Sequence, residues 1–291
     1  MALQRQLETL GALLPTRYRY ALERKARGRF EAGRLKQADY VFVSFGKSGR
    51  TWLRVMISRL YKQVYDLPGN PLLGFDNLHL LNPAIPKIMV THDNYLRDYT
   101  GEGTSKSAYR KLPVLLLVRH PGDVTMSQYF QWKHRMRPHK MYLNQYPAPG
   151  SDLTEYEFMM GASGLSKAIT YLNEWADALD DIPRHHVVRY EDMRNNTLTE
   201  MQQVADFFKI PADEQTLQEV VDYAAFENMK KREAASASAN ERLKAGDLAE
   251  PESFKTRRAK VSGYRDYFDE DQVRNIDDYI SSHLNPRFGY C

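Results

Sequence analysis

The stretch Ala38 to Trp52, ADYVFVSFGKSGRTW, constrains the fold more than any other part of this chain. Residues 38–45 are rich in β-branched and aromatic side chains and predict a strand. Gly46 to Arg50 turn the chain. From Thr51 to about Tyr65 the residues Leu53, Met56, Ile57, Leu60 and Tyr61 recur at helical spacing. A strand that passes through a glycine-containing turn into a helix is the opening of an α/β unit. Further strands are predicted at Lys87–Thr91, Leu112–Val118 and His185–Tyr190. The third of the four, LPVLLLV, is apolar throughout, as a parallel strand buried on both faces should be. Helices are predicted from about Asp123, over 164–180, Thr197–Phe208 and Asp213–Lys231, and from about Asp269. The expectation is one α/β domain over 38–291, a mostly parallel sheet flanked by helices, preceded by a basic helical leader over 1–37.

The chain has 291 residues, which α/β folds often use as one domain and which needs no staple to bury a core. Its one cysteine, Cys291, excludes a disulfide framework and a cysteine-built zinc site. Net charge is only +4, but residues 1–37 hold nine basic and three acidic side chains. That leader reads either as a solvated helical face or as a contact for an anionic membrane surface. No apolar run reaches the ~18–20 residues of a membrane span, and Gln, Arg and Glu interrupt the N-terminal leucines where a signal peptide is continuous. A cytoplasmic protein is expected. Residues 232–253 are mostly Ala, Ser, Glu and Lys, which suggests a surface segment and a candidate lid.

In a parallel sheet the ligand sits at the carboxyl ends of the strands. Past the first strand, Gly46, Lys47, Ser48, Gly49 and Thr51 precede a helix N-terminus, which makes a cradle for a phosphate group. The nucleoside-triphosphate loop G-x-x-x-x-G-K-[ST] matches only in its tail, because Val41 stands where its first glycine belongs. The apolar third strand also ends in Arg119 rather than in an Asp that could hold magnesium.

Phe45-Gly46-Lys47-Ser48-Gly49-Arg50-Thr51-Trp52 instead resembles the 5′-phosphosulfate loop of the sulfotransferases, roughly Y-P-K-S-G-T-T-W. The K-S-G-x-T-W core is kept, and Arg50 replaces the first Thr. Arg119-His120-Pro121-Gly122-Asp123-Val124, followed by Ser127-Gln128-Tyr129, resembles the family's 3′-phosphate segment. Tyr190-Glu191-Asp192-Met193 resembles its Y-E-D-[ML] signature. Ala225 to Lys230 resembles S-F-x-x-M-K, with Ala224 where a Thr often precedes it. Arg257 to Tyr264 is similar to R-[KR]-G-x-x-G, with Ala259 and Ser262 in place of the glycines, so the loop must avoid positive φ there or bear strain. The resemblance covers about residues 38–268.

The resemblance implies 3′-phosphoadenosine 5′-phosphosulfate (PAPS) as co-substrate, its desulfated product PAP, and transfer of the sulfuryl group to a hydroxyl or amine. It assigns Lys47, Ser48, Gly49, Arg50, Thr51 and Trp52 to the 5′ end of the nucleotide. Arg119, Ser127, Arg257, Arg258 and Ala259 fall at the 3′-phosphate, and Tyr190 and Phe226 against the nucleoside. Lys47, His92 and Ser127 form the expected catalytic group. Lys47 stabilises charge on the leaving oxygen, so no metal is called for. His92 follows the second strand in Val90-Thr91-His92, where the family has K-T-H, and is the expected base. Asp93 is the fallback.

The remaining histidines show no metal-ligand spacing, and no metal site is expected. Tyr129, Phe130, Trp132, His134 and Tyr142 interleave with Lys133, Arg135, Arg137 and Lys140, and this segment is expected to line the acceptor pocket. No nucleic-acid motif accompanies it, so nucleic acid is not an expected partner. Two other readings stay open: a nucleotide or small-molecule kinase on a related fold, and a non-catalytic PAP-binding module. A glycan, a lipid head group and a small metabolite all remain as acceptors. The family's K-x-x-x-T-V-x-x-x-E dimer motif is not visible near 260–275, which leaves the oligomeric state open.

Overall fold

The computed structural model describes residues 15–234 and 260–290. Four strands form one sheet: β1 (Tyr40–Ser44), β2 (Ile88–Thr91), β3 (Val114–Val118) and β4 (His185–Arg189). All pairings are parallel, in the order β2-β1-β3-β4, with Val43 beside Thr91 and Val114 beside both Val41 and His185. The chain moves outward from β1 to β2, then crosses back to β3. The topological switch point therefore lies between β1 and β3, where a parallel sheet opens a crevice for a ligand.

Every residue of β1 and β3 is buried. Because side chains alternate across a strand, Val41, Val43, Val114, Leu116 and Val118 feed one core, while Tyr40, Phe42, Leu115 and Leu117 feed the other. The second core is built on helix α2 (Arg50–Val64), whose Leu53, Met56, Ile57 and Leu60 are the predicted apolar stripe. The first is built on α4 (Pro121–Arg135) and α7 (Leu165–Ala178), around the fully buried Tyr129 and Trp175. Helices α8 (Tyr190–Asn195) and α9 (Thr197–Phe208) follow β4. The single helix expected over Asp213–Lys231 is two, α10 (Glu214–Tyr223) and α11 (Phe226–Ala234), broken where the Ala224 amide closes α10 on Val220. The terminal helix α12 (Glu270–His283) starts at a capping box made by Asp269 and Gln272.

The leader contributes α1 (Thr16–Leu35), which packs against α3 (Leu96–Thr100) and α5 (Pro138–Leu143). Gly28 permits the contact: a Cβ there would lie 2.2 Å from the Tyr95 carbonyl oxygen. Arg24 binds both carboxylate oxygens of Asp98, at 3.2 and 2.8 Å, and donates to the carbonyls of Leu143 and Asn94. Part of the leader's charge is thus committed to holding the helix on the domain. No helix among the described residues is long and apolar enough to cross a membrane.

Candidate active site

Each strand delivers a candidate residue at its carboxyl end. The loop 45–49 follows β1, His92 follows β2, Arg119 follows β3 and Tyr190 follows β4. Sheet order then sets them side by side, with His92 at one end and Tyr190 at the other.

In the β1–α2 loop, Lys47 (φ 70°) and Gly49 (φ 94°) are both left-handed, which turns successive amides toward one concavity. The first α2 bonds are from the Trp52 and Leu53 amides to the Gly49 carbonyl, at 2.9 and 3.3 Å. The amides ahead of them have no helical acceptor and point out of the helix N-terminus. Gly49 is required twice over, since a Cβ would lie 2.6 Å from the Tyr190 ring.

Arg119 lies across this loop. It donates to the Lys47 carbonyl at 3.2 Å and stacks 4.2 Å from the centroid of Tyr190. Among the described residues its Nε is buried without an acceptor, and the Ser44 hydroxyl at the end of β1 is likewise buried without a partner. Two orphaned donors beside a nest of amides fit a phosphate-bearing ligand. Asp123 accepts from the amides of Ser262 (2.9 Å) and Tyr264 (3.0 Å), which ties the C-terminal loop to the start of α4. Ser262 is left-handed at φ 56°, so the loop does bear the strain that a missing glycine predicts. Arg257, Arg258 and Ala259 lie outside the described residues, as does most of the candidate lid.

Ser48 is buried and Thr51 half-buried at the start of α2. Ser127 is half-buried in the second turn of α4. Tyr190 is 5% exposed and lies under Gly49 and Arg119, supporting the cradle from beneath. Trp52 donates from Nε1 to the Ala224 carbonyl at 2.8 Å, which fixes the approach to Phe226. The Arg194 guanidinium reaches both rings, 5.6 Å from Trp52 and 6.0 Å from Phe226. Such a corner of aromatic and guanidinium faces suits a flat base. Arg194 escaped the sequence reading, although it lies four residues after Tyr190 on α8, one turn along the same face.

On the β2 side, a cavity of about 370 Å³ opens among His92, Arg50, Gln131, Lys140 and Glu31. His92 Nδ1 lies 2.8 Å from the Ser44 carbonyl oxygen, and Arg50 donates to its Nε2. Burial and then the Arg50 charge hold the imidazole well below its ordinary pKa. Lys47 Nζ lies 3.5 Å from Gln131 Oε1, so the ammonium stands between the phosphate cradle and the cavity.

Asp93, the fallback base, is committed to contacts within the fold. It pairs with Lys106 at 2.8 Å, both side chains being 5% exposed, and accepts from the Tyr109 hydroxyl. Its left-handed turn (φ 54°) and its amide bond to Thr91 Oγ1 shape the loop at His92. The aromatic segment after Ser127 also differs from expectation. Tyr129, Phe130 and Trp132 face the sheet and pack into the core, which leaves Gln131, Met136 and Lys140 to reach the cavity. Helix rotation, set by the core contacts, decides which members of a mixed segment point outward.

A glycine-containing loop at the switch point of a parallel sheet, with an aromatic and guanidinium corner on one side and a cavity holding a histidine on the other, is an α/β arrangement whose chemistry fits a phosphate-bearing ligand. A family model described as Sulfotransferase domain matches residues 37–286. The chain belongs to the sulfotransferase family and is a transferase of that class. It is 25% identical over 223 residues to rat Sulfotransferase 2A2, covering 72% of each chain. It is 24% identical over 270 residues to Cytosolic sulfotransferase 12 of Arabidopsis thaliana (86% of this chain, 77% of that one). Flavonol 3-sulfotransferase of Flaveria bidentis is 24% identical over 265 residues (84% and 81%). Among solved structures, mouse sulfotransferase SULT7A1 complexed with PAP superposes with a TM-score of 0.56 at 18% identity, covering 87% of this chain and 88% of that one. Retinol dehydratase in complex with androsterone and inactive cofactor PAP gives 0.55 at 19% identity, covering 85% and 81%. These two likenesses show the shared fold.

Proposed function

We propose that the chain transfers a sulfuryl group from PAPS to a hydroxyl or amine acceptor held in the 370 Å³ cavity. One observation carries the reading: Arg50 of the phosphate loop donates to Nε2 of His92, so the donor cradle and the candidate base meet at one wall. PAPS, when bound, supplies the sulfuryl group and leaves PAP behind. The amides of 47–51 with Ser48 and Thr51 would hold its 5′ end, Arg119 and Ser127 its 3′-phosphate, and Trp52, Arg194 and Phe226 its base. Arg257, Arg258 and Ala259 are proposed to complete the 3′-phosphate site.

His92 is the proposed base. Its lowered pKa keeps Nε2 unprotonated at neutral pH, and an attacking hydroxyl would displace the Arg50 guanidinium from that lone pair before giving it a proton. Lys47 would place its ammonium against charge developing on the leaving oxygen. The kinase alternative is disfavoured by the donor set, because Arg119 follows β3 and the nearby Asp123 is already held by two amides and Arg119. Calorimetry with PAP and with ATP, each with and without Mg²⁺, tests the reading. Metal-independent PAP binding with weak ATP binding is expected. Binding of ATP with Mg²⁺ and none of PAP would overturn it.

The outer face of α1 supports peripheral contact with an anionic membrane. Tyr18, Leu22 and Phe30 are each at least half exposed there, beside the exposed Lys25 and Arg29. Flotation of the full chain with phosphatidylserine vesicles should weaken when Lys25 and Arg29 are both replaced by Glu. Unchanged flotation would remove the idea.

A further inference from the structure

The cavity beside His92 draws most of its wall residues from the polar and charged types. Of its eleven wall residues, eight carry polar or charged side chains, whereas small-molecule pockets are mostly lined by apolar and aromatic groups. Among these, Glu31 stands apart. It comes from α1, the helix that precedes the sheet, and it reaches the wall because Gly28 lets α1 lie against Tyr95. Thr91 donates to Glu31 Oε1 at 3.2 Å. The other oxygen, Oε2, is buried and has no hydrogen-bond partner among the described residues.

A buried carboxylate oxygen without a partner is costly and calls for an explanation. Structural pairing provides only part of one: the Thr91 hydroxyl, the Tyr95 amide and Arg27 favour the charged form but do not outweigh burial. Arg27, the cation nearest on the same helix, is paired with Glu23 at 2.6 Å, and Asp93, the charge facing Glu31 from the β2 side, repels it. Burial and Asp93 together push the Glu31 carboxyl up to about 7. Near neutrality the group is therefore partly protonated, and it can both accept and donate a hydrogen bond. Arg50 and Lys140, which only donate, line the same cavity.

We propose that Glu31 is the acceptor-recognition residue of this site, and that it selects a polyhydroxylated, sugar-like acceptor by accepting a hydrogen bond at Oε2 from one of its hydroxyls. The proposal rests on the sulfuryl-transfer reading. A hydroxyl both donates and accepts, which matches a wall that carries Glu31 together with two cationic donors. A flat apolar ring would leave Glu31 Oε2 dehydrated with no hydrogen bond from the ligand, a cost that its dispersion contacts do not offset. The cavity volume, at the small end of ligand pockets, suits roughly one or two sugar rings.

The test compares wild type, Glu31→Ala and Glu31→Gln with PAPS as donor. The acceptors are methyl α-glucoside, N-acetylglucosamine and maltose, set against para-nitrophenol. PAP affinity is measured by calorimetry for all three proteins. Wild type should sulfate at least one sugar with a higher kcat/KM than para-nitrophenol. In Glu31→Ala the KM for that sugar should rise about 10–100-fold, the loss of one hydrogen bond to a chargeable group. Its kcat should change little, and its PAP affinity not at all. Glu31→Gln, which keeps the shape and one oxygen, should recover part of the loss. A preference of wild type for para-nitrophenol over every sugar, or an unchanged sugar KM in Glu31→Ala with PAP binding intact, would overturn the proposal. Failure of wild type to bind PAP would instead overturn the sulfuryl-transfer reading on which it stands.

Discussion

Arg50 and Ser44 together dictate the protonation of His92. A guanidinium can only donate, so Nε2 of the ring must accept from Arg50, and a carbonyl oxygen can only accept, so Nδ1 must donate to Ser44 at 2.8 Å. One neutral tautomer satisfies both contacts. The Nε2 lone pair thus sits at the cavity wall with Arg50 on it, and an acceptor hydroxyl must displace that guanidinium before the ring acts as a general base.

The Arg50 charge should set the acid limb of the pH profile. It lowers the His92 pKa, second only to burial. Replacing Arg50 by Ala removes that repulsion, so His92 protonates at higher pH and kcat/KM should begin to fall at higher pH than in wild type. Steady-state rates between pH 5 and 9 check this. An acid limb that stays in place would show that another group titrates. His92→Ala should lower kcat about 10²–10⁴-fold across the range.

Lys47→Ala should separate binding from transfer. With the ammonium gone, stabilisation of the leaving oxygen is lost and kcat should drop about 10²–10³-fold. The loop amides remain, so PAP affinity should weaken about tenfold or less. Calorimetry beside single-turnover rates distinguishes the two. Full activity in this variant would remove Lys47 from the catalytic group.

Gly49 should tolerate no side chain. At φ 94°, and with a Cβ 2.6 Å from Tyr190, Gly49→Ala must move the loop off Tyr190 or strain it. A loss of about 2–4 kcal/mol in stability is expected, with PAP binding abolished. Thermal unfolding with and without PAP checks both parts, and a variant that PAP still stabilises normally would contradict the geometry.

Glu31 should cost stability at neutral and alkaline pH. Its folded pKa, about 7, lies above the ordinary value, so the folded state binds the proton more tightly than the unfolded chain. The associated stability is present at low pH and is lost as pH rises toward 7. Above that, the ionised buried group costs about 3 kcal/mol at most. Glu31→Gln should therefore melt higher than wild type at pH 8, by roughly 2–8 °C, with the gain vanishing near pH 4. A difference independent of pH would show that Glu31 does not titrate in this range.

Much of the site was legible because its members follow strand ends directly. His92, Arg119 and Tyr190 each come one residue after β2, β3 and β4, and the β1–α2 loop announces itself by its glycines, lysine and hydroxyls. What escaped reading comes from elements whose rotation and docking are set by packing. The aromatics of α4 carry the right chemistry for an acceptor pocket, yet the core claims them and leaves Gln131 facing the cavity.

The order of strands and helices, the phosphate loop and the family resemblance were determined by the sequence itself, because side-chain periodicity and turn chemistry act over a few neighbouring residues. The meeting of Arg50 with His92, and of Glu31 with Thr91 across 60 residues of chain, was decided only in the tertiary structure. Those contacts depend on how closely α1 and α2 settle against the sheet, which the burial of both cores enforces and no local pattern encodes.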